Sequence, residues 1–223
     1  VFAFNSESGA LFMGNNNIPN GGGVEIKYLN NDWNYAEPDS LAYWPSDGSK
    51  LNFYAISPSY KEDETAYSIL STSIGGPAEG QTNQIGVMLN DEYALNQHTN
   101  CDIMYATAFN YDKETYNTKV KLTFKHILSQ VVFKAKTAKS SLKAEIQSIK
   151  IKNPCMTGTF SIPSTTTENP TADNWELNGL TGSATAKMTD NSVKVESTTK
   201  SVWLSDSIQP IMMIPQGIKP WNT

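Results

Sequence analysis

Lys119–Lys136 reads KVKLTFKHILSQVVFKAK, and its spacing decides the class of fold. From Lys119 to Lys125 the residues alternate. Val120, Leu122 and Phe124 point one way; Lys119, Lys121, Thr123 and Lys125 point the other. Successive side chains of a strand face opposite sides, so a period of two marks a half-buried β-strand. Gln130–Lys136 repeats the pattern, with Val131, Phe133 and Ala135 on one side. His126-Ile127-Leu128 interrupts it, which predicts two strands bent at that point. Val120, Leu122, Phe124, Val131 and Phe133 are therefore expected in the core of the C-terminal part.

The same period recurs on both sides of this stretch. Leu51, Phe53 and Ala55 share a face of Leu51–Ile56. Ile146, Ile149 and Ile151 precede Asn153-Pro154, Thr157–Ile162 ends at Pro163, and Ile208–Ile214 ends at Pro215. Thr137–Glu145 is the most helix-like segment, and it is short and half polar. Asn20-Gly21-Gly22-Gly23, Ser46-Asp47-Gly48-Ser49, Gly75-Gly76-Pro77 and Asn178-Gly179 are turn signals. Many short strands broken by Gly, Asn and Pro predict an all-β sandwich or barrel. Aromatic residues are dense before Asn110–Tyr116, while Lys and Thr dominate after it. This shift predicts two domains, 1–115 and 116–223, each of sandwich size. Phe53 and Tyr105 are expected to anchor the first, and Thr165–Asp173 to form a polar loop in the second.

Composition excludes several functions. The 223 residues carry a net charge of −5, and all 17 basic residues are lysines. Arginine is the preferred fork for phosphates and base edges, so an acidic chain without it is not a nucleic-acid binder. Charged residues make up 17%, below the usual ~25%. Ser, Thr and Asn, at 22, 21 and 21, take their place, as suits strands and turns on or outside the cell. Two histidines and two cysteines leave no clustered metal site, and no cofactor is implied. No apolar run is long enough to span a membrane. Glu62-Asp63-Glu64 reads as a solvated loop. Asp32, Asp39 and Asp47 lack the alternating-oxygen pattern of a calcium loop.

G-x-S-x-G is absent, and His98 and His126 read as structural, so no acid–base constellation points to an enzyme. Cys101 and Cys155 fit either a disulfide or two separate thiols. Trp33, Tyr43 and Trp44, with Tyr35 and Tyr54, fit either core packing or a platform on which sugars stack.

Trp33…Tyr43-Trp44-Pro45…Leu51-Asn52-Phe53-Tyr54-Ala55…Pro58, Asp102-Ile103-Met104-Tyr105-Ala106, Leu122–Val131 and Ile214-Pro215-Gln216 occur in this order. With these blocks the sequence resembles the fimbrillin family, the Mfa-like and FimA-like surface fimbrial subunits of Bacteroidetes. The resemblance implies two tandem transthyretin-like β-sandwich domains. It implies a lipoprotein exported to the outer membrane that serves as a stalk, tip or anchor subunit of a fimbria. A protease removes an N-terminal strand in polymerising members, and the vacated groove accepts a strand from a neighbour. Partners are then other fimbrial subunits and ligands on host or bacterial surfaces. Membrane contact is expected only through an N-terminal lipid anchor outside this sequence. Relatives continue with further strands after the Pro215-Gln216 block, so a shortened C-terminal domain is expected. The alternative is a carbohydrate-binding surface lipoprotein using Trp33, Tyr43 and Trp44. Asp39-Ser40-Leu41 and Asp206-Ser207-Ile208 resemble the Asp-Ser/Thr-apolar sequon for O-glycosylation in such bacteria.

Overall fold

The computed structural model describes residues 1–15, 22–37, 41–59, 69–114 and 119–217. Among these residues the regular structure is strand, apart from one 3-10 turn at Ala172–Asn174. The first sheet contains β1 (Phe2–Asn5), β2 (Leu11–Met13), β5 (Leu51–Ser57), β8 (Met104–Tyr111) and β9 (Lys125–His126). Its order is β2-β1-β5-β8-β9, antiparallel throughout. The second sheet contains β6 (Ile69–Ile74), β7 (Asn83–Met88), β14 (Thr157–Ser161) and β15 (Trp175–Leu177), ordered β15-β14-β7-β6.

The two sheets face each other across a common core. Tyr105 and Ile127 meet Ile85, Val87, Phe160 and Trp175 in one cluster. Beside it, Phe2, Phe4 and Tyr54 meet Ile74. The other face of the first sheet is covered too. Leu51 and Phe53 join Ala3, Met13 and Ala108 beneath Tyr35, Trp44, Val120 and Leu122. Residues Leu51–Ala55 are consequently all buried, although they read as a one-sided strand in sequence. Asn52 tolerates this position because its Oδ1 accepts the Asn110 N–H at 2.8 Å.

Strand pairing runs across the boundary expected at 115/116. Thr157–Ser161 lies against Met88–Gln84, residue for residue. Phe160, fully buried, is thereby delivered into the core of the N-terminal half. On the other side of β14, Gly158 permits the close approach of β15: a Cβ there would stand 3.0 Å from the Glu176 carbonyl and 3.2 Å from the Trp175 ring.

The remaining strands form separate two-stranded ladders. β10 (Ser129–Val131) pairs with β19 (Ile211–Met213), and β11 (Lys134–Ala135) with β18 (Val202–Trp203). β12 (Ala144–Ile146) pairs with β17 (Val193–Val195), and β13 (Lys150–Cys155) with β16 (Thr181–Thr185). They surround Ala184, Ala186, Ile211 and Met213. β19 is the wall between this cluster and the sandwich core. Its alternate residues Ile211 and Met213 face the ladders, while Met212 joins the sandwich, as does Ile214 just beyond. The clusters therefore follow one another, from the covered face of the first sheet, through the sandwich, to the ladders. A hairpin of β3 (Ile26–Leu29) and β4 (Asp32–Tyr35) stands apart as its own sheet. Asn30 and Asn31 turn it with φ of 53° and 64°, a left-handed conformation that Asn tolerates.

Several expectations are corrected by this arrangement. Lys119–Phe124 forms no strand, because pairing with β8 begins only at Lys125. Val120 and Leu122 pack on the cluster of Leu51 and Phe53, not in the C-terminal core. Phe124 is 38% exposed and not part of a buried core. Thr137–Glu145 holds no helix. The 165–173 loop joins β14 to β15. Lys125 Nζ donates to Thr166 O at 2.8 Å and to Glu168 O, which fixes it. Glu62-Asp63-Glu64, Asp39-Ser40, and Thr115 and Tyr116 of the linker lie outside the described residues.

Candidate functional site

The ladders carry the feature with the clearest consequence. A sandwich layer is normally several strands wide, and each strand covers its neighbours' apolar side chains. Here each layer is two strands wide among the described residues. Val131, Phe133, Ile149 and Ile151 pack on the cluster but stay only partly buried. The Phe133 N–H donates to Ser205 Oγ at 2.7 Å, so β11 is tied to its partner ladder. A bridge of Met188 with Ser205, with the Asp206 N–H donating to Lys187 O at 2.8 Å, joins the β11–β18 ladder to the segment after β16; otherwise the named ladder strands have no second strand partner among the described residues. An apolar floor flanked by unpaired backbone edges is a template for another strand.

A second surface lies on the β3–β4 hairpin. Ile26, Tyr28, Trp33 and Tyr35 share one face, with Ile26 opposite Tyr35 and Tyr28 opposite Trp33. The inner end is anchored: Tyr35 packs on the Leu51/Phe53 cluster, its hydroxyl 3.7 Å from Met13 Sδ. The outer end is bare. Tyr28 and Trp33 are 58% and 62% exposed, with ring centroids 5.5 Å apart. Tyr43 is 78% exposed. Trp44 instead packs edge-on against Phe53 at 6.2 Å. Two of the three candidate stacking residues are therefore on the surface and the third is part of the core. Tyr28 joins this surface although nothing in its local pattern singled it out. Asp32 is held by Lys119, whose hydrogen bond is the main reason its carboxyl lies below the ordinary range.

A structured loop between β7 and β8 links the sandwich to the ladders. Burial pushes the Glu92 carboxyl upward, opposed by His98 and the Asn100 N–H, which donates to its Oε1 at 3.0 Å. Asn100 clamps the loop base, accepting from Asn90 N at 2.9 Å and donating to Asn90 O at 2.8 Å. Tyr93 stacks on His98 and its hydroxyl donates to Gln209 O at 3.3 Å. Burial, aided by Glu92 and Asp206, raises that hydroxyl to about 12. Asp91 reaches β16, accepting from Ser183 Oγ and, at 2.7 Å, from the Thr185 N–H; Lys150 stands 3.4 Å away. His98 thus has a structural setting. The links from this loop to the ladders were not legible in the sequence, because Asp91 lies 92 and 94 residues from Ser183 and Thr185, and Tyr93 lies 116 from Gln209.

His126 Nδ1 lies 2.6 Å from Asp102 Oδ2 at the rim of a hollow of about 270 Å³. Ile127, Leu128, Pro170 and Pro215 line it beside the Ser129 and Thr171 side chains. Among the described residues no group of His, Cys, Asp and Glu could hold a metal ion. Cys101 and Cys155 are not joined in a disulfide, and Cys155 is buried with its Sγ donating to Thr157 O at 3.3 Å. Of the other residues singled out in sequence, Phe53 and Tyr105 are 8% and 1% exposed. Val131 and Phe133 border the ladder cluster.

Gln216 closes the last ladder: its side chain accepts from Cys155 N at 2.7 Å and donates to Cys155 O at 3.0 Å. The Ile214-Pro215-Gln216 block therefore has a structural task. A family model described as fimbrillin-like matches residues 2–220. The chain belongs to the fimbrillin-like family. Fimbrillin-like proteins are structural and non-enzymatic, and they make up fimbriae at the cell surface. The chain is similar to a crystallised Bacteroides uniformis protein described as a candidate cell adhesion protein, at 17% identity and a TM-score of 0.40. The match covers 94% of this chain and 80% of that one. The search of curated proteins gives no match. Among the described residues, no helix of this fimbrillin-like chain is long and apolar enough to cross a membrane.

Proposed function

We propose that this chain is a subunit of a cell-surface fimbria, displayed from the outer membrane, and that it assembles by accepting a β-strand from a neighbouring subunit. The observation that carries the reading is the half-covered cluster of the ladders, with Val131, Phe133, Ile149 and Ile151 only partly buried. Within residues 116–223, the ladders are read as the second sandwich unit in which completion takes place, while β14 and β15 belong to the first; its role is packing, not catalysis. A donated strand would satisfy an unpaired edge and place alternate side chains over the cluster. If ~10 residues bury ~600 Å² of apolar surface, the gross gain is ~15 kcal/mol at ~25 cal/mol/Å². Ordering the donor offsets much of it.

Val131→Asp tests this. The variant places a charge on the floor of the acceptor face, so detergent-resistant oligomers of the assembled fimbria should disappear from gels. Its monomer should keep the circular dichroism of the parent. Oligomers that persist at the parental level would refute strand acceptance at this site.

Exposed Trp33 and Tyr43 favour a second reading, in which the hairpin surface stacks on sugars. Trp33→Ala should abolish binding on a glycan array and leave the thermal midpoint within about 2 °C, as for a surface substitution. Equal glycan binding by parent and variant removes that reading.

A further inference from the structure

Charge is divided unevenly along the chain. Residues 1–115 hold 15 acidic side chains and 4 lysines, a formal charge of −11. Residues 116–223 hold 13 lysines and 7 acidic side chains, a formal charge of +6. The net −5 of the whole conceals this contrast. The fold separates the two signs only in part, since Glu145, Asp190 and Glu196 are exposed on or beside the same ladders, with Glu145 opposite Lys194. Glu7, Glu37, Asp47, Glu79 and Glu114 are exposed on or beside the N-terminal sandwich. Lys134, Lys136, Lys139, Lys143, Lys194 and Lys200 are exposed on the β11–β18 and β12–β17 ladders and the loops leaving them. Only part of this charge is neutralised locally. Lys143 stands 3.7 Å from Glu196, and Lys134 Nζ lies over the Trp203 ring at 3.6 Å. Across the division, Lys119 meets Asp32 and Lys150 meets Asp91.

We infer that the basic strip of the ladders docks on the acidic sandwich of a second copy of this chain, head to tail. The inference rests on the fimbrial reading, since it makes the partner another subunit and brings it to the unit with the open edges. The partner is a second copy because the same chain carries the complementary surface, with the larger charge. The cationic side chains are also all lysines, hydrated point charges that attract at a distance but lack the fork that grips phosphate. A contact between two different patches is heterologous and does not close, so it continues along a fibre. Complementary fields speed such encounters by ~10–10³-fold and fade with salt. The screening length shrinks from ~30 Å at ~10 mM to under ~10 Å above ~100 mM salt.

The test is sedimentation velocity on the intact chain at about 10 mM and about 300 mM sodium chloride, where screening differs most. Self-association should weaken at least ~10-fold at the higher salt. One variant carries Lys136→Glu, Lys139→Glu, Lys143→Glu and Lys200→Glu. The other carries Glu7→Lys, Glu37→Lys, Glu79→Lys and Glu114→Lys. Each should stay monomeric alone with the parental circular dichroism, and an equimolar mixture should associate. Association that ignores salt, reversals that behave like the parent, or an inert mixture would each overturn the inference. So would retention of the parent on heparin without self-association, which would give the strip to a polyanion. Failure here, with oligomers still sensitive to Val131→Asp, overturns the charge docking and leaves strand acceptance standing. Salt-dependent association with oligomers indifferent to Val131→Asp removes strand acceptance instead.

Discussion

Phe160→Ala tests the joint between the two halves. The ring is 0% exposed and lies between Tyr105 and Trp175, with centroids 5.4 and 5.3 Å away. Its strand belongs to the later part of the chain, yet its partners line the N-terminal core. Losing a buried phenyl group costs about 3–5 kcal/mol, from lost transfer energy and the cavity left behind. Two inclined aromatic contacts are lost with it. For a chain of this length each kcal/mol moves the melting midpoint by about 2–4 °C, so a fall of about 6–20 °C is expected. The assay is thermal unfolding, followed by far-ultraviolet dichroism for the strands and by tryptophan fluorescence. Both signals should shift together, since β14 cannot leave the sandwich without opening the second sheet. A shift below about 2 °C, or two separate transitions of which only one moves, would refute the reasoning.

Three further outcomes are expected. Gly76 has a φ of +87°, and a Cβ there would stand 2.5 Å from the Phe4 ring, whereas a Cβ at Gly48 would meet nothing within 4 Å. Gly48→Ala should therefore cost only about 1–2 kcal/mol of left-handed strain. Gly76→Ala should add roughly 1–3 kcal/mol of overpacking, and equal urea midpoints would contradict this. Burial pulls Asp91 upward, but the Ser183 and Thr185 hydrogen bonds and the Lys150 charge outweigh it and hold its carboxyl below the ordinary 3.8. Its stabilisation is thus present above 3.8 and is lost as pH falls through the lower folded value. Glu92, raised above 4.5 by burial, works oppositely: its contribution is full below 4.5 and is lost as pH rises through the raised value. Asp91→Asn should flatten the acid limb of stability against pH, and Glu92→Gln the decline above it; unchanged curves would contradict both. Intact-mass measurement after alkylation under denaturing, non-reducing conditions should find Cys101 and Cys155 both labelled, and an unlabelled pair would indicate a disulfide.

Local pattern revealed the strands but not their partners. The period of two at Thr157–Ile162 is plain, yet only the folded chain shows that β14 lies beside β7. Backbone pairing between distant segments leaves no mark in either one. Leu51–Ala55 reads as one-sided because Asn52 looks polar; its hydrogen bond to Asn110 is what allows a strand buried on both faces. Lys119–Phe124 misleads for the opposite reason. Its alternation is strand-like, but Val120 and Leu122 serve as plugs over the Leu51/Phe53 cluster and, among the described residues, no neighbouring strand claims the backbone. The aromatic surface was half legible. Trp33 and Tyr43 stand out by type, whereas separating them from Trp44 required knowing which side of the hairpin meets the core.

The most direct measurement of the central claim is amide hydrogen exchange on the free subunit and on assembled fimbriae. Amides at the outer edges of the 129–135, 144–155, 181–195 and 202–213 ladders should exchange quickly in the free subunit. Assembly should slow those on at least one edge by ~100-fold or more, as each gains a strand partner. Assembly that leaves every ladder amide unchanged and protects only loops would contradict it.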